Sequence, residues 1–399
     1  MSDRPPRILR LCSVFEPPAG VLNEDSRRLD PIGGMQNHTA ELTRGLAARG
    51  LTQTVVTARP PGAPRRHRFA EGAEVIRLGW NIRHLRQLYS LGAAPLMRKL
   101  GTNADLVHVH LGEDLAVVPL GLLAARRNGL PIVMTIHCSP KHTVARTDLR
   151  STTINKLGGW IEERGERASD AIISITWRLA HKIIESGIPR DRVHVIPSGV
   201  NPELFAEPTI DPLPRVPRPR IGFVGRLKKS KGIFDLLDAA ELLTHDAQLV
   251  YVGDGPDRAA LESEIRRRDM GRSARVTGFV PHETIPAYLQ HLDVLTLPSH
   301  YEELGSILIE GMQAGVALVG SDTGGIPELI DDEGTGLLTP PGDPKRLSAA
   351  LDRLLWDPRL RLDLGEAASM KAPLYDWNEL SERVLSVYEN VLGRHAAAV

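Results

Sequence analysis

The sequence predicts two Rossmann-like, doubly wound α/β domains of near equal size, facing each other across a cleft. Three observations carry this reading. At 399 residues the chain exceeds what a single hydrophobic core usually supports. Apolar runs of strand length alternate with segments of helical period, the pattern of parallel sheets covered by helices. The alternation breaks once, between Asn201 and Arg220, where prolines at 202, 208, 212, 214, 217 and 219 mark a linker, and then it restarts.

In the first half the strand candidates are Ile8–Phe15, Thr52–Ala58, Glu74–Leu78, Asp105–His110, Ile132–His137, Ala171–Thr176 and Val193–Pro197. Helical segments fit between most of them; one carries Glu41, Leu42, Leu46 and Ala47 and stops at Gly50, where a glycine can close a helix. After the linker, strands are expected near Arg220–Val224, Gln248–Gly253, Arg275–Val280, Asp293–Pro298 and Ala317–Ser321. Helices should start near Lys231, Asp257, His282, Ser306 and Pro344. The expected domains are therefore 1–200, a proline-rich linker 201–219, and 220–376. A last amphipathic segment, 377–399, is free to fold back across the first domain.

Composition narrows the partners. Lys+Arg and Asp+Glu both number 49, so no whole-protein field recruits nucleic acid. Only Cys12 and Cys138 are present, too few for a disulfide framework and without metal-ligand spacing, which suits a reducing compartment. The apolar stretch from Ile8 to Phe15 is short and interrupted by Arg10, unlike a signal peptide, and nothing later approaches the length of a membrane span. The expectation is a soluble cytoplasmic protein, with membrane contact at most peripheral.

In doubly wound sheets ligands bind beyond the carboxyl ends of the strands, where helix N-termini present amides to anions. Four features fall at such places. Gly33-Gly34, before a helix, would let backbone amides approach a phosphate, although a double glycine taken alone also suits a turn. Gly225-Arg226-Leu227 with Lys231-Gly232 follows the strand that opens the second domain and places two cations where a diphosphate would sit. Glu302-Glu303-Leu304-Gly305-Ser306 precedes a helix carrying Glu310 among apolar neighbours, and a carboxylate there suits the two hydroxyls of a ribose. His137 closes a buried strand of the first domain. Gly253-Asp254-Gly255, Gly278-Phe279-Val280 and Gly324-Gly325 add glycine turns at further strand ends of the second domain.

These motifs, in this order and spanning nearly the whole chain, resemble the retaining GT-B glycosyltransferases of family 4, the class of glycogen synthase, sucrose synthase and phosphatidylinositol mannosyltransferase. The resemblance implies that Arg226 and Lys231 hold the diphosphate of a nucleotide-sugar donor, and Glu310 its ribose. It implies that Glu302 and the following Leu304, Gly305 and Ser306 face the donor sugar, and that Gly33, Gly34, Gly225 and Gly253 allow close approach of backbone. Phe279 and Val280 would read the base, and His137 would lie near a far hydroxyl of the transferred sugar. His137, Arg226, Lys231 and Glu302 are the expected catalytic set. Members of the family retain anomeric configuration without a protein nucleophile. The residues agree: neither a nucleophile and base pair nor a metal cluster stands out, and Asp331-Asp332-Glu333 reads as solvated acid in a turn. No cofactor and no metal are expected.

The sequence departs from the family at Glu303, where glycine is usual in Glu-Gly-Phe-Gly, and at Ser198-Gly199-Val200-Asn201, where Asn-Gly-Val-Asp is commoner. A narrower likeness rests on Thr135-Ile136-His137-Cys138-Ser139, on Glu302-Glu303-Leu304-Gly305, and on Val276 to Pro281 with Ile285-Pro286. These resemble glycosyltransferases of aminoglycoside antibiotic pathways, which implies a UDP-sugar donor and an aminocyclitol acceptor. Such an acceptor is polycationic, and Glu24, Asp25, Asp30, Glu113 and Asp114 are the carboxylates placed to meet it, with ordinary solvation or helix N-terminal charge as the alternative. Two other readings stay open. A basic amphipathic stretch from Trp80 to Lys99 would suit a lipid acceptor, and intact Arg226, Lys231 and Glu310 would also serve a non-catalytic nucleotide-sugar sensor.

Overall fold

The computed structural model describes residues 4–17, 34–60, 62–79, 89–112, 114–139, 141 and 149–398. The chain divides into two compact units, Met1–Ser198 together with Trp377–Val399, and Gly199–Asp376. The first contains β1 (Arg7–Cys12), α1 (Gly34–Ala48), β2 (Thr52–Ala58), β3 (Arg66–Ala70), β4 (Ala73–Leu78), α2 (Tyr89–Gly101), β5 (Leu106–Leu111), α3 (Val117–Asn128), β6 (Ile132–Ile136), α4 (Leu149–Ala168), β7 (Ala171–Ser174), α5 (Trp177–Glu185) and β8 (Val193–Val195). The second contains β9 (Arg220–Val224), α6 (Ile233–Glu241), β10 (Gln248–Val252), α7 (Arg258–Arg267), β11 (Ala274–Gly278), α8 (Ile285–Gln290), β12 (Val294–Leu297), α9 (Ser306–Gln313), β13 (Ala317–Ser321), α10 (Ile326–Leu329), β14 (Leu337–Thr339), α11 (Pro344–Trp356) and α12 (Pro358–Lys371). The chain closes with α13 (Trp377–Ala398), which belongs to the first unit.

The first sheet runs β3-β4-β2-β1-β5-β6-β7-β8 and is parallel except for the β3–β4 pair; the second runs β11-β10-β9-β12-β13-β14 and is parallel throughout. Central strands are buried on both faces, as parallel sheets require: every residue of β5, β6, β9 and β12 is buried. Helix α13 lays Trp377, Leu380, Val384, Val387, Tyr388 and Val391 against Leu42 and Leu46 of α1 and against Ile8, Leu106, Val133 and Ile173 of the first sheet. Each fully buried side chain of that size contributes roughly 1.5–3 kcal/mol, enough to make α13 an integral layer of the unit.

The proline-rich segment is fastened to the second unit. The Arg220 guanidinium, 3% exposed, donates to both oxygens of Asp211 at 3.0 and 2.9 Å, to Leu213 O at 2.8 Å and to Val216 O at 2.5 Å, while Leu213 and Val216 are buried.

Several boundaries differ from the sequence reading, each for a local reason. The first strand ends at Cys12, and Ser13 to Phe15 leave the ladder. Strand β3, an antiparallel edge with the polar sequence RHRFA, gives no apolar run to detect. Lys229–Lys231 form a 3-10 turn, and Gly232 with φ +69° separates it from α6, so that helix begins at Ile233 instead of Lys231. In the stretch from Trp80 to Lys99, residues 80–88 lie outside the described residues and α2 holds Pro95 in its interior. Among the described residues no helix is long and apolar enough to cross a membrane.

Replacing Arg220 by Met should strand Asp211 and free the carbonyls of Leu213, Val216 and His291, the last of which accepts from Arg220 Nη1 at 3.2 Å. The expected loss is about 2–3 kcal/mol in urea unfolding, with new protease cleavage between residues 207 and 219; an unchanged midpoint and cleavage pattern would show that apolar packing alone holds the segment.

Candidate active site

In the second unit the glycine turns converge by backbone contact. Gly225 N donates to Val252 O at 2.9 Å, and Gly253 N to Gly278 O at 3.0 Å, so the ends of β9, β10 and β11 lie side by side. Gly232 brings the Lys229–Lys231 turn against the end of β12: a Cβ there would lie 1.9 Å from Pro298 O. Gly324, with φ +60°, does the same for Glu302, whose carbonyl would be 1.7 Å from an added Cβ and which accepts from Gly325 N at 3.0 Å.

That approach unites two motifs read separately in the sequence. Lys231 Nζ forms an ion pair with Glu302 Oε2, which also accepts from Ser299 Oγ at 3.2 Å. Lys231 is 29% and Glu302 19% exposed, so the pair sits at the surface of the strand-end loops. Arg226 is exposed at the end of β9 and has no ion-pair partner among the described residues. Gly305, with φ +86°, introduces α9, so Leu304, Gly305 and Ser306 stand at a helix N-terminus that favours anions. Glu310 lies one turn further and is 14% exposed; its Oε1 is 3.4 Å from His282 Nε2. Tyr301 OH donates to Glu303 Oε2 at 2.7 Å. Phe279 and Val280 are half-buried after β11.

In the first unit His137 follows β6 directly, its amide donating to Leu111 O at 2.8 Å. It is part of a buried polar cluster that the sequence reading did not assemble. His110 Nδ1 is 3.1 Å from His137 Nε2, and His110 Nε2 faces Arg10 Nη2 at 2.8 Å and Nε at 3.3 Å. His38 stands edge-on to His137 with centroids 4.4 Å apart, its Nδ1 2.8 Å from Ser198 Oγ. His108 bridges Tyr388 OH at 2.6 Å and Thr135 Oγ1 at 2.7 Å. The signal available in the sequence was periodic: His108 and His110, two apart on an apolar strand, share one sheet face, and Arg10 pairs with His108 across β1 and β5.

Burial, reinforced by Arg10 and the neighbouring rings, pushes His38, His108 and His110 well below the ordinary histidine range and His137 to about 3, so all four are neutral. Ligand nitrogens of His38, His110 and His137 lie within 4.8 Å of one another, a spacing that could hold a metal ion. Their donor set argues against that use: the Arg10 guanidinium faces one nitrogen of His110, and the other is engaged with His137. Glu162 accepts from Lys141 N at 3.0 Å, and burial pushes its carboxyl up to about 7.

Gly34 opens α1, while Gly33 lies outside the described residues, as do Glu24, Asp25, Asp30 and Glu113. Asp114, expected to meet an acceptor, is buried, and its Oδ1 accepts from Ala116 N at 2.8 Å ahead of α3.

The family models agree with this division. Residues 32–204 match "Glycosyltransferase Family 4", and residues 211–371 match "Glycosyl transferases group 1". The 2-deoxystreptamine glucosyltransferase of Streptomyces kanamyceticus is 31% identical over 395 residues, covering 90% of this chain and 100% of that protein. The chain belongs to glycosyltransferase family 4. This family 4 glycosyltransferase is also 30% identical over 414 residues to the 2-deoxystreptamine N-acetyl-D-glucosaminyltransferase of Streptomyces fradiae, with 97% of each covered. Among solved structures, sucrose-phosphate synthase from Thermosynechococcus elongatus matches with a TM-score of 0.83 at 23% identity, covering 98% of this chain and 100% of that one. Anabaena HepE in complex with UDP-glucose matches at 0.75 and 18%, covering 96% and 100%. Both are GT-B folds, and the glycosyltransferase described here shares that fold.

The neutral histidines fix a sign for acid stability. Their folded pKa values lie below the unfolded value of 6.5, so the stability they allow is complete above pH 6.5 and is lost as pH falls. Glu162, raised to about 7, works in the opposite direction over the same range, so the difference between variants isolates the histidine. Urea unfolding of His137→Gln should show a slope between pH 6.5 and 5 smaller than wild type by up to about 1.4 kcal/mol per pH unit. Identical slopes would mean that His137 takes up protons to the same extent folded and unfolded and is not held neutral by burial.

Proposed function

We propose that this glycosyltransferase is a retaining, metal-independent enzyme that transfers a sugar from a UDP-sugar to a hydroxyl of an aminocyclitol of the aminoglycoside class. The observation that carries the reading is the joining of Lys231 to Glu302 beside the N-terminus of α9. It gathers a cation, a carboxylate and helix amides at one sheet edge, the inventory that a departing diphosphate and a sugar need. The aminocyclitol is supported by two relatives, at 31% and 30% identity, whose names specify 2-deoxystreptamine. A UDP donor is supported by HepE, which was solved with UDP-glucose.

In this reading Arg226, Lys231 and the amides of Gly305 and Ser306 neutralise charge on the diphosphate as the bond between it and the anomeric carbon breaks. The acceptor hydroxyl forms the new bond on the face the diphosphate leaves, and its proton passes to a phosphate oxygen of the departing UDP. Glu310 accepts from ribose hydroxyls, Phe279 and Val280 flank the base, Gly225 and Gly253 keep the strand ends open to the donor, and Gly34 with Gly33 admits phosphate at α1. Glu302 accepts from the donor sugar, and His137 meets one of its hydroxyls. No protein nucleophile is needed.

Incubation with UDP-, GDP- and ADP-sugars, 2-deoxystreptamine and paromamine in the presence of EDTA, read by mass spectrometry, should give a sugar increment on an aminocyclitol from a UDP donor. Donor hydrolysis without transfer to either aminocyclitol would refute the acceptor, and dependence on added divalent ion would refute metal independence. With the productive pair identified, Lys231→Ala and Arg226→Ala should each lose on the order of a hundredfold in kcat/KM, about 3 kcal/mol. Glu310→Ala should act mainly by raising donor KM.

A further inference from the structure

Arg10 is a donor-only group, and this fixes the protons of two rings beyond it. Its Nη2 and Nε both point at His110 Nε2, at 2.8 and 3.3 Å, so that nitrogen must offer its lone pair. A neutral His110 then carries its proton on Nδ1, which lies 3.1 Å from His137 Nε2. That contact requires a lone pair on His137 Nε2. The remaining nitrogen of His137, Nδ1, has no partner among the described residues.

From this chain we infer that Arg10 and His110 are positioning residues that hold His137 in its neutral Nδ1–H tautomer, making it a fixed hydrogen-bond donor to a substrate oxygen and not a general base. The inference rests on the assignment of His137 to a hydroxyl of the donor sugar. It adds the direction of the bond: His137 donates, and the substrate oxygen accepts.

The surroundings make the assignment one-way. The Arg10 guanidinium is anchored by neutral acceptors, Thr43 Oγ1 at 2.5 Å, Gln53 Oε1 at 3.2 Å and Thr39 O at 3.5 Å. No carboxylate among the described residues pairs with it, so its charge is felt undiminished by both rings. Reversing the chain would aim a ring N–H at the guanidinium, and adding a proton would place a second cation in a buried cluster. A consequence for specificity follows. An ammonium group of a polycationic acceptor finds no lone pair at His137 Nδ1, whereas a hydroxyl, which can accept as well as donate, is well matched.

The test reads the tautomer directly. In protein labelled with 15N-histidine, long-range 1H–15N correlations distinguish Nδ1–H from Nε2–H rings without substrate present. Wild-type His137 should be Nδ1–H at pH 7, and an Nε2–H or rapidly exchanging ring would overturn the inference with no variant needed. In His110→Phe, Nε2–H should gain population at His137, and kcat/KM should fall roughly tenfold, the worth of one well-oriented hydrogen bond. His110→Gln can accept from Arg10 and donate to His137, so it should restore both the tautomer and most of the activity. An unchanged His137 tautomer in His110→Phe would also overturn the relay. A wild-type Nδ1–H ring combined with unaltered kinetics in His137→Ala, which has no side-chain donor, would instead refute the substrate assignment and leave the relay standing.

Discussion

Parallel pairing is the constraint on which the rest of this structure depends. A strand that must lie parallel to its predecessor can be reached only through a crossover, so the chain climbs each sheet in one direction and returns on its faces. Turns after β1, β5 and β6 therefore share one edge of the first sheet, and those after β9 to β13 share one edge of the second. Residues far apart in sequence become neighbours as a result. Arg10 meets His110 across 100 positions, and Lys231 meets Glu302 across 71.

The two edges solve different physical problems. In the first unit polar groups are sunk into the sheet interior, where an unpaired charge would cost several kcal/mol. The solution is a cluster of neutral rings, His110 bonded to His137, His38 to Ser198 and His108 to Tyr388 and Thr135, with one guanidinium spread over neutral acceptors. The second unit keeps its charges partly solvated and positions them by backbone contact. Gly232 against Pro298 and Gly324 against Glu302 leave no room for a side chain, so the loops sit where the main chain puts them and the charges follow.

Much of the architecture was legible because burial on both faces writes a plain signal. Strands β1, β5, β6, β9, β10 and β12 are apolar runs bounded by turns, and each was visible as such. Strand β3 was not, because an exposed edge carries polar residues, and neither was β14, whose three residues give too short a run. At the site the motifs around Lys231 and Glu302 were each recognisable, but their mutual ion pair depends on sheet order, which spacing does not encode. The histidine cluster was concealed for the same reason: Arg10 read as an interruption in an apolar run and His137 as the close of one buried strand, and only the β1–β5–β6 order brings them together. His282, beside Glu310, had registered only as a helix start.

The partial exposure of the Lys231–Glu302 pair bears on how such an edge can serve an anion. A pair this exposed is worth on the order of 1 kcal/mol or less, because water competes for both ends. A diphosphate, with more charge and more acceptor oxygens than one carboxylate, can therefore draw Lys231 away at small cost. Glu302 would not be left adrift, since Ser299 Oγ still donates to its carboxylate and Gly325 N to its carbonyl. Under the proposed function the loop would keep its shape while the cation changed partner. A fully buried pair would have held more tightly and exchanged less readily; under the proposed function, a pair at the rim would give the lysine a resting partner that an incoming phosphate could replace.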